Sequence, residues 1–433
     1  MVNRMDKILN GLLYGWGFLV QSAKSGGVVL CNALRAFVIN KLLAVFLPPA
    51  AFACVGQFLN IMSIGTATSS LALNNGWTSL TAKYKNDEKQ LLGIWHGGVR
   101  ITTFATIFTC IAAVLFCFMA PLETLFPGMS VRLVQAGILF SLPGILATNI
   151  ITITSSVMIG LEERKKWSLI NIAASLWQII WVAFFLYSGR LSVLSIIATQ
   201  SIVAAFFAIR VARQAGFSLK RIWSTNLDVR GPWLSYALMG IVPMVLTPVV
   251  LTIIRTTVDS SFGHDAAGIW QSVWKISDFV FMIVSAVLSV MLLPKIAVVR
   301  SKDEFNRSFY PMFGMVMLCA LVLVLVLYFG RNLIVPLLFS KAYIGAADYM
   351  HFQLLGDFFR TAGFTMALVL FAHQEAKKFL TAEIISDVLL AVATMVCIRL
   401  FGFNGPMIAF AFENALYFIM MFFMVRRVKW NIQ

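Results

Sequence analysis

The chain has 433 residues, of which 60% are hydrophobic and only 12% charged, yet its net charge is +16. So few charges cannot cover so much apolar surface in water, which excludes a soluble enzyme or a soluble nucleic-acid-binding protein. The basic excess is instead a matter of membrane sidedness.

Residues 1–24 carry Arg4 and Lys7, then an apolar run over 8–20 that ends in "QSA". Gln21 at the −3 position and Lys24 just beyond argue against signal cleavage, so the segment reads as an interfacial or leading helix. Apolar stretches of about 20 residues then recur, each long enough to cross roughly 30 Å of hydrocarbon as a helix. Twelve spans are expected, near 25–47, 52–74, 93–119, 132–157, 167–187, 191–210, 231–256, 266–293, 308–328, 349–371, 379–398 and 404–425. The gaps between them are too short for a soluble domain. Pro143 interrupts the fourth span, and Pro243 and Pro248 the seventh, so bends are expected there.

With the N-terminus cytoplasmic, the cytoplasmic segments hold 22 Lys and Arg, and the opposite loops four: Arg190, Arg331, Lys341 and Arg399. That asymmetry predicts a membrane protein with both termini inside, which requires an even number of spans. The six cysteines all fall in predicted spans without metal-ligand spacing, and read as small apolar residues.

Laying residue n over n+214 pairs Lys41 with Arg255, Ala53 with Ala267, Gln57 with Gln271 and Ser63 with Ser277. The expected architecture is all-α and polytopic, with two six-helix lobes related by a pseudo-two-fold axis along the membrane normal. The lobes would cover 25–210 and 231–433, joined by a cytoplasmic linker over 211–230.

Eight cations remain inside spans, and Arg35, Lys275 and Arg360 lie deep, as do Asp278, Asp357 and Glu413. Each would cost about 2.5–3.5 kcal/mol if it faced lipid. The six together would cost roughly 15–20 kcal/mol, more than a typical folding stability. They must therefore face the bundle interior, a partner or a wet cavity. Lys275 and Asp278 are three apart, as are Asp357 and Arg360, so each pair shares a helix face. Two intrahelical ion pairs that help spans insert would explain that spacing. The alternative is a polar cavity whose cations receive an anion. Even after both pairs cancel, Arg35, Lys41, Arg100 and Arg255 lack a partner in their own spans, a surplus that suits a phosphate-bearing ligand.

The candidate substrate-binding cations are thus Arg35, Lys41, Arg100, Arg255, Lys275 and Arg360. Asp278, Asp357, Glu383, Asp387 and Glu413 are candidates for coupling or gating. For Glu383 and Asp387, capping or pairing with Lys377 or Lys378 is the competing explanation. Gln57, Gln271, Trp270 and Trp274 are candidate cavity lining, and an aromatic belt would equally explain the two tryptophans. No HExxH, GxSxG, Walker or DxxD motif occurs, so no cofactor, metal or ATP hydrolysis is expected. The opposite-side loops, the longest around 329–348, are too short to build an enzyme site.

Three stretches carry a resemblance: "AAGIWQSVWKISDFVFMIVSAVLSVMLLPKIA" (266–297), "LLFSKAYIGAADYMHFQLLGDFFRTAGF" (337–364) and "NKLLAVFLPPA" (40–50). From about residue 25 to the C-terminus the chain resembles the Wzx-type flippases for O-antigen and enterobacterial common antigen. These are polysaccharide exporters of the MOP superfamily with a MATE-like fold. The resemblance implies transfer of an undecaprenyl-diphosphate-linked oligosaccharide from the cytoplasmic to the periplasmic leaflet, by lobes that alternate between inward-open and outward-open states. It implies a cationic cavity and coupling to a proton or sodium gradient. The family's motif places Gln271, Ser277 and Asp278 in the second span of the second lobe and Asp357 in the QLLGD stretch. Membrane lipid, the glycan carrier and, in the same pathway, a polymerase and chain-length regulator are the implied partners, with a monomer as the default state. The rival readings are a flippase for lipid-linked peptidoglycan precursor, for which fourteen spans would be expected, and a MATE-like small-molecule antiporter, which would need an acidic cavity. A membrane glycan polymerase or ligase is disfavoured by the short loops.

Overall fold

A computed structural model describes residues 27, 28, 31–223, 231–292, 296, 299, 301–373 and 375–428. The expected leading segment 1–24 and residues 224–230 of the expected linker lie outside the described residues.

All regular structure among the described residues is helical. Helix α1 covers residues 31–46 and turns at Pro48 into α2 (Pro49–Ser70). Leu71 and Ala72, both at φ 50°, end α2 in a left-handed turn, and α3 (Asn74–Tyr84) follows. The Asp87 side chain caps α4 (Glu88–Met119) by accepting from the Gln90 amide at 3.1 Å. After the short α5 (Leu122–Leu125) come α6 (Val131–Gly160) and α7 (Arg164–Ser188), the latter stopped by Gly189 at φ 62°. The sixth span is divided into α8 (Val193–Thr199) and α9 (Ile202–Gln214), followed by a single turn, α10 (Leu219–Trp223).

The second half comprises α11 (Gly231–Phe262), α12 (His264–Met291), α13 (Lys302–Leu338), α14 (Met350–Ala372), α15 (Ala376–Phe401) and α16 (Gly405–Arg426). Ser301 caps α13 by accepting from the Glu304 amide at 3.2 Å, and Asp303 and Glu304 favour the positive helix end. Among the described residues, eight helical stretches are long and apolar enough to cross a membrane, one of them containing both α15 and α16. The expected bends do not break α6 or α11, which run as helices through Pro143 and through Pro243 and Pro248.

Chain direction sorts the turns onto two faces. The α3–α4, α6–α7 and α14–α15 connections share one face with Lys83, Lys85, Arg164, Lys165, Lys166, Lys377 and Lys378, here the basic face. The α1–α2, α11–α12 and α13–α14 turns lie on the opposite, or far, face.

The cores show how the halves meet. One core gathers Trp77, Trp95 and Phe217 toward the basic face of the first lobe. A second gathers Phe305, Phe309 and Met366 toward the basic face of the second. Toward the far face a single core takes residues from both halves, among them Phe52, Phe58, Trp270, Tyr343 and Phe410. The lobes are therefore fused at the far face and separate toward the basic one, apart from the start of α11, whose Trp233 and Ala237 join the first-lobe core. Helix α2 makes the central seam, packing against both α11 and α12.

Small residues permit this seam. A Cβ on Gly268 would fall on the Pro49 backbone, and one on Gly56 would meet the Gln271 amide. Gly268→Ala is expected to lower stability by roughly 1–3 kcal/mol, the cost of overpacking. Gly314→Ala, where a Cβ meets nothing within 4 Å, is expected to be neutral or stabilising. Melting midpoints of the purified protein in detergent check both.

Candidate functional site

Between the lobes, from mid-depth toward the basic face, lies a cavity of about 690 Å³. Its first-lobe wall is polar: Asn32 and Arg35 from α1, Thr148 and Thr152 from α6, and Asn171, Ser175 and Gln178 from α7. The Arg35 Nη1 donates to the Gln178 Oε1, and the Gln178 Nε2 donates to the Ser201 Oγ at 3.0 Å. Ser175 donates to the Asn32 Oδ1 at 2.8 Å. Gln178 is buried, so its amide holds the guanidinium in place, while the Arg35 Nε has no acceptor. The opposite wall is mostly apolar, with Phe281 and Met282 from α12 and Phe364 from α14 beside one hydroxyl, that of Ser285; Phe281 and Phe364 meet edge to face at 5.1 Å. One wall can receive an anion and sugar hydroxyls, while the other offers aromatic and aliphatic surface.

Toward the far face the path is shut around Arg255, which is 4% exposed. Its Nη1 donates to the Gln57 Oε1 at 2.6 Å, and its Nη2 and Nε donate to the Gln271 Oε1 at 2.5 and 3.2 Å. Trp270 covers the guanidinium at 5.5 Å. Gln57 belongs to α2 and Gln271 to α12, the pair that the 214-residue overlay makes equivalent. Their amides thus converge on one cation that has no carboxylate partner among the described residues. Lys41, the equivalent of Arg255 in that overlay, closes the same face by donating to the Pro336 carbonyl at 2.9 Å and to the Phe339 carbonyl. It satisfies the open C-terminal end of α13. Tyr343 adds a third bond, donating to the Leu47 carbonyl at 3.1 Å.

The second lobe holds the remaining charges. Lys275 lies 3.5 Å from Asp278, and the Arg360 Nη1 approaches the same carboxylate at 3.9 Å. Arg360 also stacks on Phe281 at 3.8 Å, directly behind the aromatic wall. Asp357 accepts from Ser277 at 2.7 Å, and Gln353 donates to the Ser277 hydroxyl at 2.9 Å. Deeper in the lobe, Tyr417 donates to Glu383 at 2.5 Å, Thr247 to Asp387 at 2.9 Å, and both Ser386 and Asn414 to Glu413. Among the described residues no His, Cys, Asp or Glu group is arranged to hold a metal ion.

Several expectations need correction for this conformation. Arg35 lines the cavity, but Lys41 and Arg255 sit in the far-face closure, because the helix ends that carry them meet there. Gln57 and Gln271 serve Arg255 and do not line the cavity. Trp270 and Trp274 are buried against Arg255 and Phe410, not presented to a ligand. The pair expected between Asp357 and Arg360 does not form: Asp357 turns to Ser277, and Arg360 to Asp278 and Phe281. Lys378 pairs with Glu375 at 2.8 Å, leaving Glu383 and Asp387 to hydroxyl donors. Arg100 is half-buried on α4, outside the cavity lining. The α7 wall was the missed feature. Its signal was a stripe of Asn171, Ser175 and Gln178 at i, i+4 and i+7 on an otherwise apolar span.

No family model matches the chain. It is 24% identical to the lipid III flippase of Escherichia coli (strain K12) over 395 residues, 88% of this chain and 91% of that protein. The Shigella flexneri lipid III flippase matches equally. Among solved structures, the inward-facing conformation of a multidrug resistance MATE family transporter of the MOP superfamily superposes with TM-score 0.76 at 13% identity, covering 91% of this chain and 94% of that one. The outward-facing conformation of such a transporter gives 0.68 at 14%, covering 92% and 94%. Lipid II flippase MurJ in an inward closed conformation gives 0.69 at 15%, covering 94% and 87%. The chain has the two-lobed helical fold of the MATE transporters and MurJ.

Proposed function

We propose that this chain is a flippase that carries an undecaprenyl-diphosphate-linked oligosaccharide from the cytoplasmic to the periplasmic leaflet of the bacterial inner membrane by alternating access. The observation that carries the reading is the two-faced cavity: an arginine among amides and hydroxyls on one wall, aromatic surface on the other, open toward the basic face and shut at the far face. A diphosphate and sugars cannot cross hydrocarbon without a substitute for their water. Arg35 replaces it for the anion, and Asn32, Asn171 and Ser175 replace it for hydroxyl groups. The prenyl chain stays in lipid. The relative named lipid III flippase supports the same reading. The basic face is then cytoplasmic, with both termini on that side, and residues 211–230 join the lobes. A monomer suffices, since one chain supplies both walls.

Alternation needs the far face to open. The Arg255 clasp suits this because its acceptors are neutral. A hydrogen bond to a charged group contributes about 1.5–3 kcal/mol, whereas breaking a buried ion pair costs about 3–5 kcal/mol. Once parted from Gln57, Arg255 and Lys41 would present positive charge to the diphosphate from the far side. Asp278, already near Lys275 and Arg360, would compete for those cations and aid release. Glu383, Asp387 and Glu413 would carry the coupling ion.

Flipping of an undecaprenyl-diphosphate oligosaccharide in proteoliposomes tests the reading. Wild type is expected to flip it, and Arg35→Ala to lose tenfold or more at equal insertion, about the worth of one charge-assisted bond. Wild-type transport of small organic cations with no glycolipid movement would establish the antiporter instead, and preference for lipid-linked peptidoglycan precursor the other flippase.

Substitutions at Gln57 are expected to act in opposite directions. In a variant whose sole cysteine is Cys54, buried beside the clasp, Gln57→Leu speeds labelling by an impermeant maleimide from the far face. Gln57→Glu slows labelling and transport together, because an ion pair locks the closure. Asp278→Asn is expected to bind the glycolipid more tightly and turn over more slowly, read as lower KM with lower kcat.

A further inference from the structure

A second cavity, about 450 Å³, lies wholly within the first lobe, between α4, α6 and α9, outside the path between the lobes. Its mouth faces away from the bundle, since Ile107 and Leu146 on its rim are 52% and 48% exposed. It starts at the basic face, where Arg213 and Phe217 line it, and ends near mid-depth at Ile107 and Leu146. Along α4, from Val99 to Ile107, that is roughly 12 Å at 1.5 Å per residue.

The lining looks polar in sequence but is not in chemistry. Thr102, Thr103, Thr106 and Thr154 each donate to a carbonyl four residues back on their own helix, at 2.7 to 2.8 Å. Asn149 donates to Ser69 at 2.6 Å. With the threonine hydroxyls turned back onto their own helices and the Asn149 amide tied to Ser69, the groove offers an apolar chain mainly methyl groups. Arg213 differs. It is exposed at the basic end, and its guanidinium has no partner among the described residues.

We propose that this groove holds one acyl chain of an anionic phospholipid from the surrounding bilayer, with the lipid phosphate on Arg213. A narrow apolar slot of limited depth, ending in one free cation at the level of the headgroups, has the polarity of such a lipid along its whole length. Basic sites between membrane helices on the cytoplasmic side recognise anionic headgroups by the same logic. The assignment is independent of the glycolipid reading, because none of its residues line the cavity between the lobes.

The test uses the full chain purified in a neutral detergent, with dioleoylphosphatidylglycerol or dioleoylphosphatidylcholine added to the micelles. Retained lipid is counted by native mass spectrometry, and the melting midpoint is followed in parallel. Wild type is expected to retain phosphatidylglycerol in preference to phosphatidylcholine, with a raised midpoint. Arg213→Gln should weaken retention by roughly tenfold, the loss of one charge-assisted bond. Arg213→Lys should keep most of it. Thr103→Trp, which fills the slot from an exposed position, should abolish it while the protein melts as cooperatively as wild type. Equal retention of both lipids, or unchanged retention in Arg213→Gln and Thr103→Trp, would overturn the proposal. So would protection by inorganic phosphate alone. Displacement of phosphatidylglycerol by an equal concentration of undecaprenyl phosphate would overturn it in favour of the carrier's own tail.

Discussion

A guanidinium buried where water does not reach must find oxygen acceptors, and the molecule is arranged around that requirement at Arg255. The cation sits on α11, but its acceptors come from α2 and α12. Satisfying it therefore draws three helices and both lobes to one point. The glycines that let α2 and α12 approach, the tryptophan that roofs the site and the shared core below the far face all follow from that convergence. Lys41 repeats the device a short distance away, this time using the open carbonyls at the end of α13. In both cases a cation is met by neutral oxygens. That satisfies the charge without the depth of a buried ion pair, so a closure built this way can be both specific and reversible.

The cavity on the other side of this closure has a division of labour that its substrate would have to match. The α7 wall holds amides and hydroxyls already linked to one another, so a ligand meets a preformed lattice with Arg35 fixed in it. The α12 and α14 wall is aromatic, but charge lies immediately behind it, where Arg360 stacks on Phe281 and reaches toward Asp278. Phe281 thus stands between the ligand space and that charged layer. The acids farther into the second lobe are each held by hydroxyl or amide donors, so their protonation and the position of their helices are linked through hydrogen bonds.

Much of this was legible in the sequence because the membrane imposes a strong rule. A span must be apolar and about twenty residues long, so each of the twelve expected spans falls, among the described residues, on a helix or helix pair, although α13 runs well past both expected ends of its span. The division of span six at Gln200 and Ser201 was not anticipated, although the polar run Thr199, Gln200 and Ser201 marks it in the sequence. The depth of charges such as Arg35 and Asp357 was legible for the same reason as the spans. Their partners were not. Local spacing suggests Asp357 and Arg360 as a pair, but Ser277 and Asp278 arrive from another helix and compete successfully. Likewise, Arg255 finds its acceptors 198 and 16 positions away, a convergence visible beforehand only as the faint overlay of Gln57 on Gln271. The α7 stripe was present in the sequence, but neutral amides and hydroxyls carry a weaker signal than charges.

Helix α11 belongs to neither lobe alone. Trp233, near its start, is buried in the first lobe against Trp77, 4.6 Å between ring centres, and donates to the Ile94 carbonyl at 3.2 Å. Thr247, farther along, is bonded to Asp387 of the second lobe. Pro243 and Pro248 fall at and just beyond the stretch between these anchors, where each proline removes one backbone hydrogen bond. Any rocking of one lobe against the other must then be absorbed as curvature in this helix, so α11 acts as a leaf spring whose stiffness helps set how readily the two ends of the path exchange.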